Sequence, residues 1–384
     1  TNGGLSFELR GNEDADIFSG QSWYDLALAV SPTNPNQVFL GEVELMRSNN
    51  GGSSWQTINF AGGDWVHVDI HDIEFHPETQ ELYVASDGGL YRSVNSGNSF
   101  QRISDGLGIT EYYRMGGSTT NPNLILAGSQ DNGTMIYNGS GWGDYAGGDG
   151  MECIIDYTNE NWQTYSYQNG VVRRSANGQD GNFINPSITG ENGNWTTPYI
   201  QHPTNPEIFY AGYQSVWKTT HRGSAWTNIS GELTSGSTLE FVAAAPSDGD
   251  NYIYASDGNR IFITKDGGEN WRTVGVSSRG FLSGLVVHPS KPETLWTAQG
   301  RGVYLSEDAG ETWVNVSGTL PDIPALTVAY QGGDEETLYV GMTVGVYYTD
   351  NTMEDWEPLM EGFPNVRVAE LELLPCEGKL RAAT

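Results

Sequence analysis

Ser306-Glu307-Asp308-Ala309-Gly310-Glu311-Thr312-Trp313 is the stretch on which the reading of this chain turns. Its pattern returns as Thr264-Lys265-Asp266-Gly267-Gly268-Glu269-Asn270-Trp271 and as Ser48-Asn49-Asn50-Gly51-Gly52-Ser53-Ser54-Trp55. Following the closing aromatic alone extends the series to Trp55, Phe100, Trp142, Phe183, Trp226, Trp271, Trp313 and Trp356, with gaps of 41 to 45 residues. A fixed period in the low forties is the length of one four-stranded propeller blade. The expected fold is therefore all-β: a β-propeller of four-stranded blades, with eight recognisable repeats plus a partial ninth.

Working outward from the turn, each unit has a Pro/Asn/Asp cluster upstream, then a short β-rich run, as in Pro203-Thr-Asn-Pro206 before Ile208-Phe209-Tyr210-Ala211-Gly212. Alternating apolar runs bounded by such clusters read as short antiparallel strands. Units open near Trp23, Val66, Tyr112, Gly150, Thr196, Leu239, Phe281 and Pro324, and a ninth opens near Val366 and stops after its second strand. Residues 1–384 are expected to form a single propeller domain, a fragment of a longer secreted polypeptide. Either Leu5-Ser-Phe-Glu-Leu9 completes the last blade or a segment outside the sequence does. Helix content should be very low.

The turn motif has a structural job. The carboxylate or amide at its third position (Asn50, Asn95, Asp266, Asp308) accepts hydrogen bonds from N–H groups of its own loop. The closing aromatics Trp55, Trp226, Trp271, Trp313 and Trp356 pack between neighbouring sheets. These residues are staples of the fold, not catalysts.

Composition narrows the function. Lys+Arg 18 against Asp+Glu 48 gives a formal charge of -30, a field that repels phosphate backbones and anionic lipid. Nucleic acid is excluded as a partner on that ground. There is no apolar run long enough to insert directly into a membrane. The two cysteines, Cys153 and Cys376, are too few for a disulfide framework and are expected as free thiols, although a ring could bring them together.

The turn motif resembles the Asp-box, or bacterial neuraminidase (BNR) repeat, of sialidases, xyloglucan-specific endoglucanases, sortilin-type receptors and photosystem II assembly factors. The segments Trp23-Tyr-Asp-Leu-Ala-Leu-Ala-Val30, His67-Val-Asp-Ile-His71, Ser86-Asp-Gly-Gly-Leu-Tyr-Arg92, Gln130-Asp-Asn-Gly-Thr134, Gly147-Gly-Asp-Gly150 and Leu380-Arg-Ala-Ala-Thr384 carry a narrower likeness. They are similar to the secreted sortilin-like or glycosyl-hydrolase-like propeller proteins of Bacteroidetes. That resemblance implies export, with a C-terminal type IX secretion sorting domain, and a secreted or cell-surface location. The sialidase branch is disfavoured because no Phe/Tyr-Arg-Ile-Pro segment occurs. The endoglucanases need two carboxylates across a cleft between two propellers, and this chain holds at most one ring.

Propeller topology gathers the loops unlike other repeats on one face: Trp23, Asp25, His67, Asp69, His71, Asp87, Gln130, Asp131, Asn132, Asp149 and Glu152 are the candidate binding residues. On an unbent strand His67, Asp69 and His71 share one side with neighbours roughly 6.6 Å apart, too far for one ion to take both imidazoles. Asp69, Asp87 and Asp131 could instead hold a cation, and oxygen ligands favour Ca²⁺. If the chain is an enzyme, Asp69, Asp131 and Asp149 are the catalytic candidates. Trp23, Tyr112, Tyr113, Tyr167 and Trp195 could stack on sugar rings. The first reading is a binding module for carbohydrate (a polysaccharide or glycan) or another surface protein, without catalysis. The alternatives are a glycoside hydrolase or polysaccharide lyase, and a structural repeat domain of a surface adhesin or filament.

Overall fold

The computed structural model describes residues 5–6, 20–179, 181–184, 190–275, 280–374 and 378–384. Among them, eight antiparallel sheets have four strands each, ordered as in the sequence, and a ninth has two. Among the described residues the one helical element is a 3-10 turn at Gln168–Gly170. Successive antiparallel strands joined by short turns are what the repeats predict, and each repeat yields one blade. Of Leu5–Leu9, residues 7–9 fall outside the described residues, as does Cys376. Cys153 is a buried free thiol.

The chain divides into two compact units, Thr1–Ile109 and Thr110–Thr384. The leading unit holds blades one and two, whose first strands are Ala27–Val30 and Ile70–Phe75. Phe39, Leu45, Ile58, Ile70, Leu82 and Val84 form a continuous core between these two sheets.

The second unit holds blades three to nine, with first strands Tyr112–Gly117, Gly150–Ile155, Tyr199–Gln201, Phe241–Ala244, Leu282–Val287, Ala325–Gln331 and Glu370–Leu374. Blade nine adds only Lys379–Ala383. Separate apolar clusters fill the successive junctions, for example Tyr254, Ile261 and Ile263 of blade six against Leu282, Val287 and Leu295 of blade seven. The series returns to its start, where Ala383 of blade nine packs on Met115 and Ala127 of blade three. All seven first strands line one cavity of about 220 Å³, through Arg114, Glu152, Tyr199, Phe241, Leu285, Val328 and Leu371. The second unit is thus a closed seven-bladed ring with a central channel. Second strands lie between neighbouring blades, which is why Phe209–Gly212 is buried at every position while the outermost strands, such as Gln56–Thr57, are exposed.

The Asp-turns do what their chemistry predicts. Asp308 accepts from the Thr312 N–H at 2.9 Å and the Thr312 hydroxyl at 2.5 Å, while the Ser306 hydroxyl accepts from the Gly310 N–H at 2.8 Å. Asn50 and Asn95 accept the corresponding N–H groups of Ser54 and Ser99, each at 2.9 Å. Donated hydrogen bonds hold the Asp266 carboxyl down to about 2 and lower that of Asp308. The closing indoles reach the preceding blade: Trp226, Trp271, Trp313 and Trp356 donate to the carbonyls of Ile184, Ile229, Gly275 and Val316 at 2.6, 3.0, 2.8 and 2.8 Å. The repeat therefore closes its own turn and stitches blade to blade with adjacent residues.

Candidate functional site

In the leading unit the candidate residues collect where the chain enters the first strands of blades one and two. The extended geometry expected for His67–His71 is not what forms. The strand begins at Ile70, and Asp69 turns left-handed at φ 61°, its N–H bonding to Val43 and the next N–H to Glu42. A short polar residue tolerates that conformation. The two imidazoles take different partners. His71 Nε2 meets Asp87 Oδ1 at 2.5 Å and packs edge-on against Tyr24, centroids 5.0 Å apart. His67 lies against Trp65 at 5.0 Å and over Gly88, where a Cβ would sit 2.2 Å from the His67 side chain. Only glycine leaves that space.

Beyond the imidazoles the aromatics continue outward. Trp23 lies 5.7 Å from Tyr24 and is 84% exposed; Phe60 stacks on Trp65 at 5.9 Å and is 79% exposed. Between them, oxygens of Asp69 and Asp87 come within 4.8 Å of each other. Gln21 donates to Asp69 at 2.9 Å and to Asp25 at 3.3 Å. Asp25, expected at the binding face, is fully buried and supports Asp69 from below. Burial raises the Asp69 carboxyl, helped by the charges of Asp87 and Asp25.

Sequence reasoning does not find Gln21, Tyr24, Phe60 or Trp65. Gln21 and Tyr24 flank Trp23 and Asp25, but Phe60 and Trp65 lie in a connection whose Gly62-Gly63 reads as turn chemistry. Apolar side chains at 79% and 44% exposure carry the signal, and exposure needs a structure.

In the second unit Gln130, Asp131, Asn132 and Asp149 collect at the turns next to Tyr113. The Tyr113 hydroxyl donates to Gln130 at 3.0 Å, Asp149 accepts the Asp131 N–H at 2.9 Å, and the Asn132 amide donates to the Gln130 carbonyl at 3.0 Å. Asp131 is left-handed at φ 57°. Much of this group's hydrogen bonding is spent within its own turns. Glu152 lies instead within the channel, 3.6 Å from the Arg114 guanidinium, with Glu240 and Glu370 on the same wall. Burial, with the charge of Glu370, holds Glu152 well above the ordinary carboxylate range; burial likewise raises Glu370, Glu372 and Glu240. Tyr112 stacks on Trp142 at 5.3 Å rather than standing free.

The second unit's turns, indole stitches and ring agree with a family of repeated Asp-box blades. Residues 214–377 match the Sortilin-Vps10 family model (Sortilin, neurotensin receptor 3). The sortilin-like Asp-box resemblance expected from the repeats holds. A curated relative, a xyloglucanase of Hypocrea jecorina (strain QM6a), is 37% identical over 91 residues, which is 22% of this chain and 11% of that protein. The matched stretch thus spans about a tenth of its length. Solved structures similar to this chain include a GH74 enzyme of Niastella koreensis (13% identity, TM-score 0.37, 90% of this chain and 62% of that one). YCF48 bound to D1 peptide has 14% identity and TM-score 0.45, covering 83% and 90%. The GH74 xyloglucanase of Xanthomonas campestris has 12% identity and TM-score 0.38, covering 93% and 81%.

Proposed function

We propose that the leading unit carries a glycan-binding strip and that the protein works outside the cell as a secreted or surface-attached carbohydrate-binding propeller. One observation carries this: two runs of rings, Trp23–Tyr24–His71 ending on Asp87 and Phe60–Trp65–His67 ending over Gly88, reach the adjacent residues Asp87 and Gly88, with their outer aromatics exposed. Exposed indole and phenol rings offer flat apolar faces to pyranose C–H groups, while Gln21, Asp69 and Asp87 supply acceptors and a donor for hydroxyls. A row with aromatics at both ends suits several consecutive sugars better than one. The charge of -30 favours a neutral or cationic polysaccharide over an acidic one. Xyloglucan is the first probe, since the matched relative is a xyloglucanase. The test is affinity electrophoresis through gels holding xyloglucan, other neutral glucans or pectin. Retardation by a neutral glucan, lost in a Trp23→Ala/Trp65→Ala variant, supports the reading; no retardation in any gel overturns it.

A second reading, glycoside hydrolysis at the same place, is favoured by the raised Asp69 carboxyl beside Asp87, their oxygens within 4.8 Å. A protonated carboxyl near an ionised one is the acid-and-partner arrangement of glycosidases, and the retaining class uses a separation of about 5–5.5 Å. Release of reducing ends from the bound polysaccharide, abolished in Asp69→Asn, distinguishes it from binding alone. Calcium belongs to the same proposal: two carboxylate oxygens within 4.8 Å can share an ion with bonds of about 2.3–2.6 Å. A calcium titration that leaves melting and polysaccharide affinity unmoved removes it.

A further inference from the structure

The acids at the centre of the strip are short of positive charge. Gln21 Nε2 donates to Asp25 Oδ2 at 3.3 Å and to Asp69 Oδ1 at 2.9 Å, which sets two carboxyls beside one amide. Asp25 is fully buried, and its other oxygen, Oδ1, has no hydrogen-bond partner. The strongest charges acting on Asp69 are those of Asp87, Asp25 and His67; none is a lysine or arginine. Burying carboxylates without a cation is unfavourable, and a ligand that brings one relieves it.

The surroundings narrow the kind of cation. Oxygens of Asp69 and Asp87 come within 4.8 Å of each other. An ammonium nitrogen with bonds of about 2.8 Å to both would span them at an angle of about 118°, close to the tetrahedral spread of its N–H groups. Calcium takes about 6–8 oxygen ligands, whereas an ammonium is satisfied by three acceptors and is also drawn to aromatic faces. Aromatic faces reach the same acids: Tyr24 packs against His71, which meets Asp87 at 2.5 Å, and Trp65 packs against His67. A ligand that joins an ammonium to a flat, C–H-rich sugar ring uses both features at once.

We propose that the strip recognises a glycan of amino sugars, the ammonium of one residue seated between Asp69 and Asp87 while neighbouring sugars stack on the exposed aromatics. This rests on the glycan-binding reading above and narrows its ligand to the cationic class. Asp25 adds its buried charge to the two carboxylates that meet the ligand. An N-acetylated sugar of the same linkage keeps the stacking surface but lacks the charge, so it should bind through the rings alone.

The test is isothermal titration of the whole chain at pH 6 and physiological salt with three hexasaccharides: β-1,4-linked glucosamine, its N-acetylated form, and β-1,4-linked glucose. The glucosamine hexamer should bind roughly tenfold more tightly than either neutral one, the discrimination expected of a charge-assisted hydrogen bond. Asp69→Asn keeps the shape of the side chain and tolerates the left-handed backbone, and should shrink that preference to within about twofold. Asp87→Asn should do the same and serves if the first variant melts early. Because the chain carries a charge of -30, Glu78→Gln is the control: it removes one charge from the exposed turn beyond the other end of strand Ile70–Phe75 and should leave the preference intact. Neutral hexamers that bind as tightly as the charged one leave the strip standing and overturn the amino-sugar assignment; no binding by any hexamer overturns both. An equal loss in Glu78→Gln, or a hexalysine peptide that binds as tightly as the sugar, traces the preference to overall charge and overturns the assignment. Neutral hexamers that overtake the charged one once calcium is added give Asp69 and Asp87 to the metal and overturn it too.

Discussion

Replacing Trp23 by alanine tests the glycan-binding strip most directly, because the structure supplies both the magnitude and the control. Aromatic side chains bury about 150–250 Å² when fully covered, and Trp23 is 84% exposed. A pyranose seated on one face would cover about half of that, roughly 100 Å². At about 25 cal/mol per Å² the contact contributes about 2.5 kcal/mol. Immobilising the indole offsets about 0.5–1 kcal/mol. A net loss of about 1.5–2 kcal/mol corresponds to roughly 10- to 30-fold weaker binding. Folding should barely change, since an exposed substitution away from core and caps stays within about 0.5 kcal/mol. Isothermal titration with the polysaccharide retarded in the gel assay, read alongside thermal melting, separates the two effects. Affinity within twofold of wild type at unchanged melting would show that the ring does not touch sugar, and the argument from exposure would fail.

Asp69→Asn should raise the melting temperature at pH 7 and lose that advantage near pH 4. The Asp69 carboxyl is raised, so its burial costs stability once the pH passes the raised value, and asparagine tolerates the left-handed backbone equally well; a lower melting point at pH 7 would contradict this. Asp308→Ala should behave in the opposite sense. The lowered Asp308 carboxyl stabilises above the ordinary carboxylate range and loses that effect as the pH falls, so the deficit seen at pH 7 should shrink below about pH 4 without altering glycan affinity. Trp271→Phe removes the indole bond to Ile229 of the preceding blade while keeping most of the packing, at about 1 kcal/mol, or roughly 2–4 °C by calorimetry. No change there would mean that the indole bond adds nothing to packing.

How far the sequence speaks differs between fold and site for a physical reason. Turn chemistry is local: Ser306, Asp308, Gly310 and Thr312 close their hydrogen bonds within seven residues, so their spacing alone announces the blade. Strand starts at Tyr112, Gly150 and Phe281–Leu282 were legible for the same reason, as were the aromatic positions whose indoles cross to the preceding blade. The site is not local. Asp25 looks like a surface acid and is buried. His67 and His71 look like one face of a strand, but the strand begins only at Ile70, after the left-handed residue Asp69. Phe60 and Trp65 read as loop filler until their exposure is seen. Which carboxyls are pushed up depends on the neighbours that burial assembles, from Asp25 and Asp87 near Asp69 to Glu370 and Arg114 near Glu152. Periodicity in the chain determined that blades form and where each begins. Only tertiary packing decided that seven of them close into a ring, and which aromatics are left facing water.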